Sequence, residues 1–229
     1  MDHLPTPDTG HLSSREYEGY VYDPSEDTFL FLDALSEDRA SLKEMQPRTC
    51  VEIGQSRCGS GCVITFLSNI IGRHCQYYAI DINPIAARAA KETARRANIP
   101  LDIICGDLVS PLSRMKGSID VLLFNPPYVP TSMEEYLESI DTSASEHDVI
   151  AAAWAGGPDG RCVLDRLLPI VGEYLSPNGR FYLVTVEENR PKEICSILKK
   201  QNLDGQKVID RKARNEHLSI YRFTKRVTE

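Results

Sequence analysis

The sequence lacks the features that mark secreted, membrane-spanning and zinc-binding chains. Its seven cysteines form no C-x-x-C pair, which argues against a disulfide framework and against a zinc site in this chain. The N-terminus has no signal-like basic and apolar regions, and no apolar run approaches the roughly 20 residues of a membrane span. These absences predict reduced thiols, no metal site, no membrane contact and a location in the cytosol or the nucleus.

The sequence also has fewer positive than negative charges, with 26 Lys and Arg against 33 Asp and Glu, for a net charge of −7. Only residues 199–226 are basic, with nine Lys and Arg against three acids. We therefore expect no direct nucleic-acid binding beyond one local basic face. The 229 residues fit one α/β domain. We expect a flexible arm over 1–20, which carries Pro5, Pro7 and Gly10, and a single domain over 21–229.

Strand-like and helix-like segments alternate along most of the chain. A first helix is expected after Asp23, with Asp23 as N-cap, Pro24 at the first helical position and Glu26 at the third. Such alternation predicts a doubly wound parallel sheet with helices on both faces, and we expect 129–160 to be irregular. The expected strands are 50–53, 77–80, 101–105, 119–124, 180–186, 207–211 and 218–224, and the further helices are 62–71, 84–97, 162–175 and 191–202.

Residues suited to ligand binding stand at four predicted strand ends, where open α/β sheets bind ligands. Glu52 and Gly54 end the first strand, and Asp81, Asp107 and Asn125 end the next three. The glycine loop over 54–61 has no P-loop lysine, which disfavours nucleotide hydrolysis, and its spacing does not match G-x-G-x-x-G. Asp81, 20 residues past the loop, suits the two hydroxyls of a ribose. This arrangement predicts a cofactor that contains adenosine.

The most specific motif is Asn125-Pro126-Pro127-Tyr128, at the end of the fourth strand. A planar –NH2 group is a poor nucleophile because its lone pair is delocalised. The Asn125 side-chain oxygen and the Pro126 carbonyl can accept its two N–H hydrogens, while Tyr128 lies against the planar group. Such a site works mainly by orientation and electrostatics. The motif therefore predicts methylation of an amide or of a base amine.

Together these motifs resemble the class I S-adenosylmethionine methyltransferases of the HemK type. Three further segments, over 22–29, 154–161 and 175–179, resemble the eukaryotic branch of that family. That branch methylates N5 of the glutamine in the Gly-Gly-Gln loop of the class 1 translation termination factor. The resemblance covers about residues 20–225. It implies a seven-stranded, Rossmann-like methyltransferase sheet and S-adenosyl-L-methionine as cofactor.

The resemblance also implies roles for individual residues and a partner. Asn125 would contact both the cofactor's methionine end and the target amide, and Pro126, Pro127 and Tyr128 would complete the substrate site. The family works as a heterodimer with a small zinc-binding activator subunit, so any zinc would belong to the partner. The implied cofactor contacts are Thr28 at the carboxylate end, Glu52, Gly54, Gly59 and Gly61 around the methionine and ribose, Asp81 at the ribose hydroxyls, and Asp107 with the Leu108 backbone at adenine.

One departure and several alternatives accompany this interpretation. Gln55, Ser56 and Arg57 are three more residues than the family's loop holds, so they either bulge outward harmlessly, weaken cofactor binding or reflect an error in the gene model. The N-P-P-Y motif would also serve an adenine-N6 methyltransferase, although the acidic composition disfavours duplex binding. A protein-lysine methyltransferase would need a base that we do not find. A non-catalytic, degenerate methyltransferase fold is the alternative from another functional class.

Overall fold

Seven strands form one sheet in the computed structural model, which describes residues 4–54, 59–140, 153–213 and 216–227. Their order is β3-β2-β1-β4-β5-β7-β6, and β1 to β5 are parallel whereas β7 runs antiparallel to both neighbours. This confirms the predicted seven-stranded α/β sheet, but the sheet is mixed and not wholly parallel as the alternation predicts, since β6 and β7 form an antiparallel hairpin. The strands are β1 (Thr49–Gly54), β2 (Gln76–Asp81), β3 (Leu101–Cys105), β4 (Ile119–Phe124), β5 (Leu175–Thr185), β6 (Leu203–Ala213) and β7 (Glu216–Lys225).

Helices cover both faces of this sheet, as the alternating pattern predicts. Among the described residues the α-helices are α1 (Glu26–Glu37), α2 (Arg39–Met45), α3 (Cys62–Ile71), α4 (Pro84–Arg96), α5 (Met133–Ile140), α6 (Leu164–Leu167), α7 (Val171–Tyr174) and α8 (Pro191–Lys199). Two large apolar cores result, one on each side of the sheet. Within β4, Val121 and Leu123 pack into one core and Leu122 and Phe124 into the other, the two-sided burial typical of central parallel strands.

Three local predictions of helical structure were wrong. The first helix begins at Glu26 and not after Asp23, since Ser25 is extended and its hydroxyl donates to Oδ1 of Asp27 in the first helical turn. The single helix expected over 162–175 is two short helices, α6 and α7. The stretch over 129–160, expected to be irregular, contains α5, whose Ser132 Oγ accepts the N–H of Glu135 while the Glu135 carboxylate accepts the Ser132 N–H. This reciprocal pair is a capping box.

The N-terminal segment differs from the flexible arm that the sequence predicts. Leu12, Tyr17 and Val21 are buried in a small core with Ala86 and Ala89 of α4. These three apolar side chains are spaced four to five residues apart, so short turns bring them to one side of the segment. The described part of the segment therefore packs against the sheet's helical layer.

Candidate active site

The carboxyl ends of β1 and β4 open into a cleft. These neighbouring strands lie where the strand order reverses, which is the point where open α/β sheets bind ligands. The cleft is lined by Tyr22, Asp27, Thr28, Glu52, Ile53, Gly54, Gly59, Ser60, Val63, Asn125, Pro126, Tyr128, Ala153 and Trp154.

Most of the predicted site residues meet at this end of the sheet. A smaller adjoining space shares part of the cleft wall and adds Gly61 and Asp81. Pro127 is buried beside the cleft. Asp107 and Leu108, at the end of β3, line neither space, and Asp107 forms an ion pair with Arg166. The structure thus gathers Thr28, Glu52, Gly54, Gly59, Gly61, Asp81, Asn125, Pro126 and Tyr128, and leaves Asp107 and Leu108 outside these walls.

Asp81 is buried beneath the glycine loop and braces it. Its Oδ1 accepts the N–H of Asn83 at 2.7 Å and its Oδ2 accepts the N–H of Gly59 at 3.1 Å. A Cβ on Gly54 would lie 2.6 Å from Asp81 Oδ2, so the absence of a side chain permits this approach. A carboxylate accepts several hydrogen bonds at once, so Asp81 is of the chemical type that a pair of ribose hydroxyls requires.

Glu52 places an acidic side chain in the cleft wall. Its Oε2 accepts the N–H of Ile64, in the first turn of α3, at 2.9 Å. Burial raises the pKa of Glu52 to about 7, and the Ile64 hydrogen bond opposes that rise. The carboxylate is therefore poised to change charge near neutral pH, where a cationic ligand would favour its ionised form.

Asn125 joins the end of β4 to the start of α1. Its Nδ2 donates a hydrogen bond to Oδ2 of Asp27 at 2.9 Å. Its Oδ1 is buried and finds no hydrogen-bond partner among the residues that the structure describes. Buried polar atoms without partners are rare in native proteins. Asn125 thus carries an acceptor that a bound ligand can satisfy.

Tyr128 is held on two sides by residues far away in the sequence. Its hydroxyl donates to Oε2 of Glu216 at 3.4 Å, and its carbonyl accepts a 2.8 Å hydrogen bond from Nδ2 of Asn189. Burial, followed by the charges of Asp27 and Glu216, raises the pKa of Tyr128 above its usual value. The ring is therefore fixed beside the cleft as a neutral phenol.

The segment after the undescribed residues 141–152 packs onto the N-P-P-Y turn. Val129 N–H donates to the carbonyl of Trp154, and Gly156 N–H donates back to the carbonyl of Val129. Gly160 packs against the Tyr128 carbonyl so closely that a Cβ there would collide with it. Trp154 lines the cleft with 42% of its surface exposed.

The comparisons with known proteins agree with this geometry. Residues 28–146 match the family model described as Methyltransferase small domain. The chain is 44% identical to Methyltransferase HEMK2 of Mus musculus over 97% of both chains. It belongs to the HEMK2 family of methyltransferases. It is also 37% identical to the eRF1 methyltransferase catalytic subunit mtq2 of Schizosaccharomyces pombe, over 96% of this chain and 95% of that one.

A solved structure extends the HEMK2-family match to three dimensions. The structure is titled as the E. cuniculi Mtq2–Trm112 complex responsible for the methylation of the eRF1 translation termination factor. The two chains share 25% identity and a TM-score of 0.62, over 90% of this chain and 98% of that chain. The predicted methyltransferase fold and family are thus confirmed.

Sequence reasoning missed three residues that shape this HEMK2-family site: Asp27, Asn189 and Glu216. Asp27 directly precedes Thr28, which the family resemblance had identified as a cofactor contact, so its position in the sequence could have indicated it. Asn189 and Glu216 lie 61 and 88 positions from Tyr128, and no local pattern marks them. The triplet Gln55, Ser56 and Arg57 lies outside the described residues.

Proposed function

We propose that this chain transfers a methyl group from S-adenosylmethionine to the side-chain nitrogen of a glutamine in the class 1 translation termination factor, eRF1. The observation that carries the proposal is the buried Oδ1 of Asn125 at the end of β4, in the wall of the cleft, which has no hydrogen-bond partner among the described residues. A carboxamide –NH2 supplies the donor that this acceptor lacks. The relatives named for eRF1 and for release-factor glutamine methylation support the same choice of substrate.

The residues present fit the cofactor. Gly54, Gly59 and Gly61 stand at the carboxyl end of β1 beside Asp81, whose carboxylate is the type of acceptor that ribose hydroxyls require. Thr28 and Glu52 would lie near the methionine end, and Glu52 would face positive charge. When bound, S-adenosylmethionine supplies an electrophilic methyl group on a sulfonium centre. Asp107 and the Leu108 backbone stay predicted contacts of adenine.

The chain's own contribution is to hold the target nitrogen in place. Asn125 Oδ1 accepts one N–H of the target amide, and the Pro126 carbonyl accepts the other. These two acceptors fix the –NH2 plane and stabilise the positive charge that develops on nitrogen as its lone pair leaves conjugation. Tyr128, braced by Glu216 and Asn189, forms the wall beside the planar group.

A small activator related to Trm112 is the proposed partner, because the solved relative is a complex with Trm112. That this partner binds zinc is a further prediction from the family resemblance. We expect the chain to co-purify with such a subunit and to be poorly soluble or inactive alone. Metal analysis of the purified complex tests the zinc, and a fully active monomer would contradict the heterodimer. We also expect a cytosolic or nuclear location.

A comparison of three methyl acceptors tests the proposal. The purified heterodimer is incubated with methyl-labelled S-adenosylmethionine and, in parallel reactions, with eRF1, an adenine-containing DNA duplex and a lysine-rich peptide. We expect label in eRF1 and background in the other two. Label in the duplex or the peptide would favour the alternative chemistries, and no label anywhere would favour a non-catalytic fold.

A further inference from the structure

The carboxylate of Asp27 is fixed by four hydrogen bonds at the start of α1. Its Oδ1 accepts the Ser25 hydroxyl at 2.9 Å, the Thr28 N–H at 2.7 Å and the Thr28 hydroxyl at 3.4 Å, and its Oδ2 accepts a hydrogen bond from Nδ2 of Asn125 at 2.9 Å. The side chain is buried at 7% exposure. Each oxygen thus has a committed partner, and the carboxylate has little freedom to turn.

This fixed carboxylate determines which way the Asn125 carboxamide faces. A carboxylate only accepts hydrogen bonds, so the –NH2 end of Asn125 must face Asp27. The carbonyl end then faces the other way, where Oδ1 is buried without a partner among the described residues. Rotation of the carboxamide by 180° would place an oxygen against the carboxylate and would present –NH2 to an incoming –NH2.

We propose that Asp27 is a positioning residue that selects the acceptor orientation of Asn125, an inference that rests on the proposed function. Asp27 acts through Asn125 and does not touch the target amide. Its loss should therefore lower kcat, because the acceptor matters when the target nitrogen leaves conjugation. Binding of the cofactor should change little.

The Asp27→Asn variant keeps the size of the side chain but removes the acceptor-only carboxylate that orients Asn125. If the new Oδ1 keeps the Thr28 N–H, the new –NH2 faces Asn125 and turns its carboxamide around. We expect kcat on eRF1 to fall about 100-fold, with the KM for S-adenosylmethionine within about threefold of wild type. Asp33→Asn, on the same helix, is the matched control. Its exposed pair with Arg211 contributes little, so kcat should not change.

A swap of the two residues separates orientation from general damage. In Asp27→Asn combined with Asn125→Asp, the amide at 27 donates to the carboxylate at 125, whose second oxygen still faces the target as an acceptor. Total charge is conserved, and the pair's donor and acceptor complementarity returns. We expect the double variant to exceed each single variant in kcat by at least tenfold, a non-additivity that contacting residues show when they act as a pair.

Each outcome bears on the inference. Wild-type kcat in Asp27→Asn, a swap no better than its single variants, or a loss confined to the KM for cofactor would overturn the positioning role. If Asp27→Asn fails to fold, Ser25→Ala removes one restraint from Asp27 Oδ1. That variant should lower kcat about threefold at unchanged KM, and an unchanged kcat would overturn the inference. An inactive wild-type complex would refute the proposed function instead.

Discussion

Substitution of Gly61 by alanine should damage both stability and cofactor binding, for a reason visible in the backbone. Gly61 precedes α3 with a φ of +70°, and a Cβ there would lie 2.7 Å from Ala90 Cα and 2.9 Å from the Ala90 carbonyl oxygen. These atoms belong to α4 and cannot move aside as a flexible side chain would. The close contact of α3 and α4 thus depends on a residue without a side chain.

Gly117 supplies a matched control, because its φ is +73° and nothing lies within 4 Å of the position of a Cβ. Alanine in the left-handed region costs about 1–2 kcal/mol, and overpacking adds about 1–3 kcal/mol. Gly117→Ala should show the first cost alone, and Gly61→Ala should show both. The difference of about 1–3 kcal/mol corresponds to a Tm lower by about 2–12 °C in Gly61→Ala than in Gly117→Ala.

Thermal unfolding of the two variant complexes, with and without S-adenosylmethionine, measures these effects. Ser60 lines the cleft, and its carbonyl accepts a 2.6 Å hydrogen bond from Thr93 of α4. A shift at Gly61 should therefore disturb the cofactor loop and reduce stabilisation by cofactor, whereas Gly117→Ala should keep it. Equal Tm values and equal cofactor stabilisation in the two variants would refute this reasoning.

Three further predictions concern the cleft itself. Wild type should gain about 2.7 kcal/mol of stability at a concentration of S-adenosylmethionine 100 times its Kd, and none from NAD or ATP. Asp81→Ala should lose most of that gain, whereas Asp102→Ala, at an exposed position, should keep it. Full retention of the gain in Asp81→Ala would contradict the role of Asp81 at the ribose. Asn125→Ala should lower kcat on eRF1 by about 10²–10³-fold with a much smaller change in cofactor Kd by calorimetry, and wild-type turnover would contradict the N-P-P-Y argument. Burial raises the pKa of Glu52 to about 7 from about 4.3 in an unfolded chain, so the contribution of Glu52 to stability is lost as pH rises between these two values. Glu52→Gln should therefore raise the free energy of unfolding by about 1–3 kcal/mol more at pH 8 than at pH 4.5. Denaturant titrations that give the same increase at both pH values would refute the raised pKa.

Local sequence patterns predict the sheet well because the strands are short, apolar and bounded by clear turn residues. The bounds of α3, β3 and β4 match the expected 62–71, 101–105 and 119–124. The start of α1 does not match, because its N-cap is Ser25 and not Asp23, and no side-chain hydrogen bond caps the helix. Asp27, in the first turn, instead accepts the Ser25 hydroxyl through Oδ1 and a hydrogen bond from Asn125, directly after β4, through Oδ2.

The candidate site divides in the same way. Glu52, Asp81 and Asn125 are predictable because each lies at or near the carboxyl end of a strand. The side chains that orient Asn125 and Tyr128 are not predictable, since Asn125 and Asp27 lie 98 positions apart and Tyr128 and Glu216 lie 88 apart. Such contacts depend on how helices and hairpins pack over the sheet, and no periodicity in one segment encodes them.

Mapping of the methyl group on eRF1 tests the central claim most directly. In a single turnover, the purified heterodimer and its Asn125→Ala variant are each mixed with isotopically labelled S-adenosylmethionine and eRF1, and the product is analysed by tandem mass spectrometry. We predict one labelled methyl group on the side-chain nitrogen of the Gly-Gly-Gln glutamine with wild type, and almost none with the variant. A methyl group on lysine, or equal labelling by the variant, would contradict the account.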